Sequence, residues 1–186
     1  MKNKKVQVLL FILLIVVQLY VPLQMILKQE DVVKTGTEFK FQTAPVDPYD
    51  AFRGKYITLF FKEREITVKN ASKWMIGETV YATIRTNKDG FAQIISISRN
   101  KPTAENCYVK SKIAFTIDQN KIALDLPFNR FYMNENSASD AEKIYRDLSL
   151  NKKEQTYALV AIKNGEAVIK DVRINEVSIK DLANKK

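Results

Sequence analysis

Hydrophobic positions fall along this chain in two regimes. From Val6 to Leu27 they run nearly unbroken, with Gln7, Gln18 and Gln24 as the polar interruptions and Pro22 near the end. At about 1.5 Å rise per residue, roughly 22 residues span roughly 33 Å, enough for a bilayer core, so the pattern predicts a transmembrane helix. A cleaved signal peptide would use Val8 to Val17 as its apolar region, but no Ala-x-Ala-like site follows and the apolar character continues through Leu27. The expectation is an uncleaved anchor.

Beyond Leu27 the pattern changes to short runs with a period near two, the signature of half-buried strands. Gln29 to Gly36 is polar and reads as a linker. Thr37 to Thr43 alternates, with Phe39 and Phe41 on one face. Tyr56 to Phe61 carries large apolar groups on both faces and predicts one central strand. Lys62 to Glu65 alternates in charge and reads as a solvated strand end, followed by a short strand at Ile66 to Val68. Val80 to Thr86 and Phe91 to Ser98 flank Asn87-Lys88-Asp89-Gly90 as a longer-loop hairpin. Tyr108 to Phe115 and Lys121 to Leu126 form a second pair, and Phe128 to Met133 an aromatic extended segment. Ser139 with Glu142 makes a capping-box pattern, and Ala141, Ile144, Tyr145 and Leu148 share a helical face, so a short helix spans 139–148. Tyr157 to Lys163 and Glu166 to Ile174 flank Asn164-Gly165, the strongest hairpin signal in the chain, because a type I′ turn needs two residues with positive φ. A last short strand covers Val177 to Ile179.

The predicted fold is mostly β: a compact barrel or sandwich of short antiparallel strands with one short helix, preceded by the N-terminal transmembrane helix. The domain reading is 1–5 basic tail, 6–27 anchor, 28–36 linker, 37–182 β-rich domain and 183–186 tail.

Charge adds an orientation. Lys2, Lys4 and Lys5 precede the apolar run, whereas Lys28 and Lys34 after it are mixed with Glu30 and Asp31. The positive-inside rule then places the N-terminus in the cytoplasm and the β-rich domain outside a bacterial inner membrane. The net charge of +9 is read as attraction to an anionic lipid bilayer, and no nucleic-acid partner is expected, since no motif interleaves basic and stacking aromatic residues. The chain has no histidine and a single cysteine, Cys107. Within this chain that excludes a His-based triad, a histidine metal site and an internal disulfide. No cofactor, metal ligand set or catalytic residue is predicted, and the reading leans away from an enzyme.

One stretch concentrates candidate chemistry: Pro45 to Phe61, PVDPYDAFRGKYITLFF. Pro45 and Pro48 fix the backbone, Asp47 and Asp50 suit turn capping or a carboxylate pair, and Arg53 and Lys55 flank Gly54 where an anion could be held. Further along, Tyr132 and Glu135 are candidates to line a cleft. Trp74 and Met75 read as ordinary core rather than a partner patch, and Asn70-Ala71-Ser72 as a chance glycosylation match.

This stretch resembles the signature of the GDYXXLXY family, small bacterial membrane-anchored proteins whose function is not established. Gly54, Tyr56 and Leu59 match as they stand, while Lys55 replaces an Asp and Phe61 a Tyr. The upstream PVDPYDAFRG resembles the run that leads into the family motif. The likeness extends to Phe131, Tyr132 and Glu135 and to the strand Ala167 to Asp171. The resemblance implies an accessory or binding subunit of an envelope complex, with a multi-span membrane protein as partner, and implies no activity. The alternative is a hydrolase or a small-ligand or ion-binding module acting through the Asp47-Asp50-Arg53 turn. Signal-peptidase-like Ser-Lys chemistry is disfavoured, because no serine precedes Ser72.

Overall fold

The computed structural model describes residues 4–44, 56–103, 107–133, 141, 144–145 and 155–184. It is mostly β, with 47% of residues in strands, and contains a nearly closed antiparallel barrel, a long N-terminal apolar helix and a short C-terminal helix.

Helix α1 runs over Lys4–Thr35 and contains Pro22. It is long and apolar enough to cross a membrane, and its apolar window is unburied by the rest of the chain. The segment expected as a polar linker is helical up to Thr35. Its polar residues are good helix formers, and Lys34 pairs with Glu30 one turn away at 3.0 Å. Val32 is buried. Thr35 Oγ1 donates to the Asp31 carbonyl at 2.8 Å. The helix ends at Gly36, whose N–H donates to the Val32 carbonyl at 2.9 Å. A Cβ at Gly36 would lie 2.5 Å from that carbonyl oxygen and 3.1 Å from the Ile162 oxygen, so the close approach of helix and sheet requires glycine here.

Twelve strands follow among the described residues. They are β1 (Thr37–Ala44), β2 (Tyr56–Thr58), β3 (Phe60–Phe61), β4 (Glu65–Thr67), β5 (Thr79–Thr86) and β6 (Ala92–Ser98), then β7 (Tyr108–Asp118), β8 (Lys121–Asp125), β9 (Arg130–Tyr132), β10 (Thr156–Lys163), β11 (Glu166–Ile174) and β12 (Val177–Ser178). One sheet has the order β12-β11-β10-β1-β3, a second the order β4-β8-β7-β5-β6, and β2 with β9 makes a separate ribbon. In the second sheet β6 returns beside β4 without a ladder between them, which leaves the barrel open along one seam. Its interior is mostly apolar: Val80, Ala82 and Ile84 alternate inward from β5, Val109 and Ile113 from β7 with buried Ser111 between them, Ile122 and Leu124 from β8. The two sheets share one core, which also takes Phe39, Phe41, Val160 and Val172. They meet at the β10–β11 turn, where Val109 bridges Gly165 and the Lys110 N–H donates to the Gly165 carbonyl at 3.0 Å.

Two further expectations require correction. Tyr56 to Phe61 is not one central strand: it breaks at Leu59, whose N–H donates to the Asn129 carbonyl at 2.8 Å. Before the break the chain pairs with β9 and after it with β1. Leu59 and Phe61 are buried, but Phe60 is exposed. Lys62 to Glu65 is likewise no plain strand end: Lys62–Arg64 forms a 3-10 turn before β4. Ala141, Ile144 and Tyr145 of the helix expected over 139–148 are helical, and its other residues lie outside the described ones. The C-terminal helix, Ile179–Asn184, had no place in the sequence reading, although Ser178 and Asp181 have the spacing of a cap. Ser178 Oγ accepts from the Lys180 N–H at 3.3 Å.

The Asn164-Gly165 turn has the predicted geometry, with φ of 53° and 90°. It also carries a packing constraint: a Cβ on Gly165 would sit 2.8 Å from Cε2 of buried Tyr108. Gly165→Val should therefore destabilise the full-length protein in detergent by about 2 kcal/mol or more, from backbone strain plus the clash. Chemical denaturation followed by circular dichroism measures this, and an unchanged midpoint would contradict it.

Candidate functional site

Of the residues singled out in the sequence, Asp47, Asp50, Arg53, Gly54, Lys55 and Glu135 lie outside the described residues. Tyr56, Leu59 and Tyr132 are described, and the fold brings them to one place. β2 and β9 pair antiparallel, with Tyr56 opposite Tyr132 and Thr58 opposite Arg130. The two tyrosine rings are 5.3 Å apart at 57°, a tilted cross-strand pair. The Arg130 guanidinium lies over the Tyr56 ring, 5.0 Å from its centre. Leu59 lies under the ribbon as buried core, so its part is structural. Tyr132 is 62% exposed and presents its phenol to solvent.

Beside the ribbon runs a groove of 340 Å³ between β9 and β11. Its walls include Gln29 from α1, Arg130 and Tyr132 from β9, Ile169 and Lys170 from β11, and Lys180 from the C-terminal helix. Lys180 Nζ stands 5.1 Å from the centre of the Phe131 ring. Lys170 pairs with Glu38 of β1. Among its described lining residues there is no carboxylate. Cations and aromatic faces suit an anionic group with apolar substituents.

A second feature escaped the sequence reading. Glu63, in the stretch whose alternating charge predicts a solvated strand end, tucks its carboxyl inward. Its Oε1 accepts from the Gln42 N–H at 3.3 Å. Its Oε2 is buried without a partner among the described residues. Burial pushes its pKa up to about 7, against the lowering effect of the bonds from its own and the Gln42 backbone amides. It faces the barrel's open seam, a cleft of 470 Å³ that Glu65 and Thr67 of β4 and Gln93 and Ile95 of β6 also line. Alternating charge in Lys62-Glu63-Arg64-Glu65 gives no hint that one acid turns inward, since a 3-10 turn breaks the period of two.

The remaining candidates read as structure. Asn70 Oδ1 accepts from the Ser72 N–H at 2.9 Å and caps a short 3-10 turn. Cys107 is a half-buried free thiol packed against the core. Trp74 packs on the core beneath Arg99, 4.5 Å from its ring centre, but Met75 is not core: it is 71% exposed, beside Ile76 at 72%. No group of three metal-binding side chains occurs among the described residues.

Comparison with known proteins finds one family model, described as GDYXXLXY protein, matching residues 18–172. No curated protein and no solved structure matches the chain.

Glu63 generates a pH prediction. Its pKa is higher folded than unfolded, so the folded state holds the extra proton between about 4.5 and 7, and stability falls as pH rises through that window. Glu63→Gln should remove this slope. Near pH 4 it should match the parent; near pH 8 it should be more stable by on the order of 1 kcal/mol, after allowing for solvent screening. Urea midpoints at the two pH values decide it, and a parallel pH dependence in both proteins would contradict it.

Proposed function

The chain belongs to the GDYXXLXY family, and on that footing we propose that it is a membrane-anchored β-domain acting as a binding or accessory subunit of an envelope membrane complex. The observation that carries the reading is the joint between helix and domain. Lys163 Nζ donates to Asp31 Oδ2 and to Thr35 Oγ1, each at 2.7 Å, and Lys28 pairs with Glu166. Together with buried Val32 and the Gly36 contact, these tie the last turns of α1 to the β10–β11 hairpin. A helix continuous with the domain presents one surface at a set height above the bilayer, which suits a subunit that docks laterally.

The proposed setting is a bacterial inner membrane, N-terminus inside, as the lysines before Val6 favour. The proposed partner is a multi-span membrane protein. An exposed apolar turn supports a protein partner: Met75 and Ile76 project from a turn that Glu78 closes, the Glu78 N–H donating to the Met75 carbonyl at 3.0 Å. Arg99 clamps this turn through Glu78 and through the Lys73 carbonyl, the latter at 2.6 Å. Arg99 holds the Glu78 carboxyl below its usual range.

Two experiments test the proposal. In intact cells with a permeabilised outer membrane, external protease should remove a C-terminal tag; a tag that stays protected overturns the orientation. Purification in mild detergent should recover a multi-span protein with the full-length chain. Met75→Ser/Ile76→Ser should lose that protein while the unfolding free energy stays within about 0.5 kcal/mol of the parent, since both side chains are exposed. The same paired measurement on Arg53→Ala separates a structural role from a partner role for the Pro45–Gly54 stretch. Recovery of the chain alone would overturn the accessory-subunit reading.

A further inference from the structure

The groove between β9 and β11 opens at the foot of the domain. Leu27 is the last residue of the apolar run, and Gln29, which lines the groove, lies two residues on. At helical rise that is about 3 Å along the axis, inside a headgroup layer about 5–8 Å deep on each side of a bilayer. The hairpin is tied down at the same level, because Glu166 pairs with Lys28. Ala167 and Val168, next along β11, also line the groove. One wall of the groove therefore stands at headgroup depth when α1 spans the membrane.

The chemistry of the walls matches that position. Arg130 and Lys180 are both exposed and both lie over aromatic rings, those of Tyr56 and Phe131. Among the described residues neither is ion-paired with a carboxylate, so both keep charge to offer, whereas Lys170 shares its charge with Glu38. A guanidinium and an ammonium at one groove suit a phosphate oxygen set. Exposed Tyr132 has the apolar ring and polar tip that favour the membrane interface. Pro127, Phe128 and Ile169 add apolar wall for glycerol and the first methylenes of an acyl chain.

We propose that this groove seats the phosphate headgroup of an anionic phospholipid from the leaflet beneath the domain. The inference rests on the anchored reading above and adds to it a lipid ligand, held by Arg130 and Lys180, that fixes the domain's tilt on the membrane.

The test uses the full-length chain in nanodiscs of phosphatidylcholine alone and of phosphatidylcholine mixed with phosphatidylglycerol, read by amide hydrogen exchange. Peptides covering 127–133 and 177–184 should exchange several-fold more slowly in the anionic discs, with those of β5 unchanged. Arg130→Gln/Lys180→Gln should remove the difference while the chain still elutes with the discs. Equal exchange in the two compositions overturns the proposal without recourse to any variant. Protection that survives in the double variant also overturns it, as does equal protection by inorganic phosphate added to neutral discs, which would mark a site for a free anion. A chain that enters neither disc overturns the anchored reading itself, and the inference with it.

Discussion

Three phenyl rings tie the edge of the first sheet to the segment that leads from β8 into the ribbon. Phe41 from β1, Phe61 from β3 and Phe128 from the segment before β9 lie with centroids 4.9 to 5.7 Å apart, all in edge-on or tilted geometry. All three are buried. Each contributes about 1.5–3 kcal/mol by burial, and the ring pairs add about 0.5–1.5 kcal/mol each. The placement of these rings explains the break at Leu59. Phe61 must reach Phe41 on β1, so the chain after Leu59 pairs with β1. Phe128 must reach both, so the chain after it returns beside Tyr56. The pairing of Tyr56 with Tyr132 follows from these contacts, as does the groove that β9 borders.

The joint between helix and domain depends on packing more than on charge. Its ion pairs are solvent-exposed, with side-chain exposures of 62% and 53% for Lys28 and Glu166. Pairs of that kind contribute about 0–1 kcal/mol. Burying Val32 and closing backbone on backbone at Gly36 contribute more, and the latter is possible only without a Cβ. These packing contacts set the direction in which the helix leaves the domain. That direction places the β10–β11 hairpin and the basic groove at the foot of the structure.

The barrel's open seam sets the behaviour of Glu63. Edge strands β4 and β6 approach without pairing. Glu63 sits beside the gap with one carboxyl oxygen bonded to a backbone amide and the other buried without a partner among the described residues. Burial in that position disfavours the carboxylate and raises its pKa to about 7. The seam thus carries a cost that rises with pH, the reverse of a paired surface acid.

What the sequence determined by itself is what local patterns encode. The apolar run from Val6 to Leu27 specifies a helix long enough for a bilayer, because hydropathy and length are properties of one segment. The hairpins at Asn87–Gly90 and Asn164-Gly165 follow from turn chemistry, and the inward face of β1 from a period of two. The motif residues Tyr56, Leu59 and Tyr132 were legible as candidates. Their division into a buried leucine and a stacked tyrosine pair was not, since 76 residues separate the two tyrosines and only the phenyl cluster brings them together. The helical state of Gln29–Thr35 was hidden for the same reason: its composition is polar, and the burial of Val32 is decided by a hairpin more than a hundred residues away. The inward turn of Glu63, the exposure of Met75 and the meeting of Arg130, Lys170 and Lys180 around one groove likewise belong to tertiary structure. Burial and charge proximity are relations between distant segments, and no pattern within one segment records them.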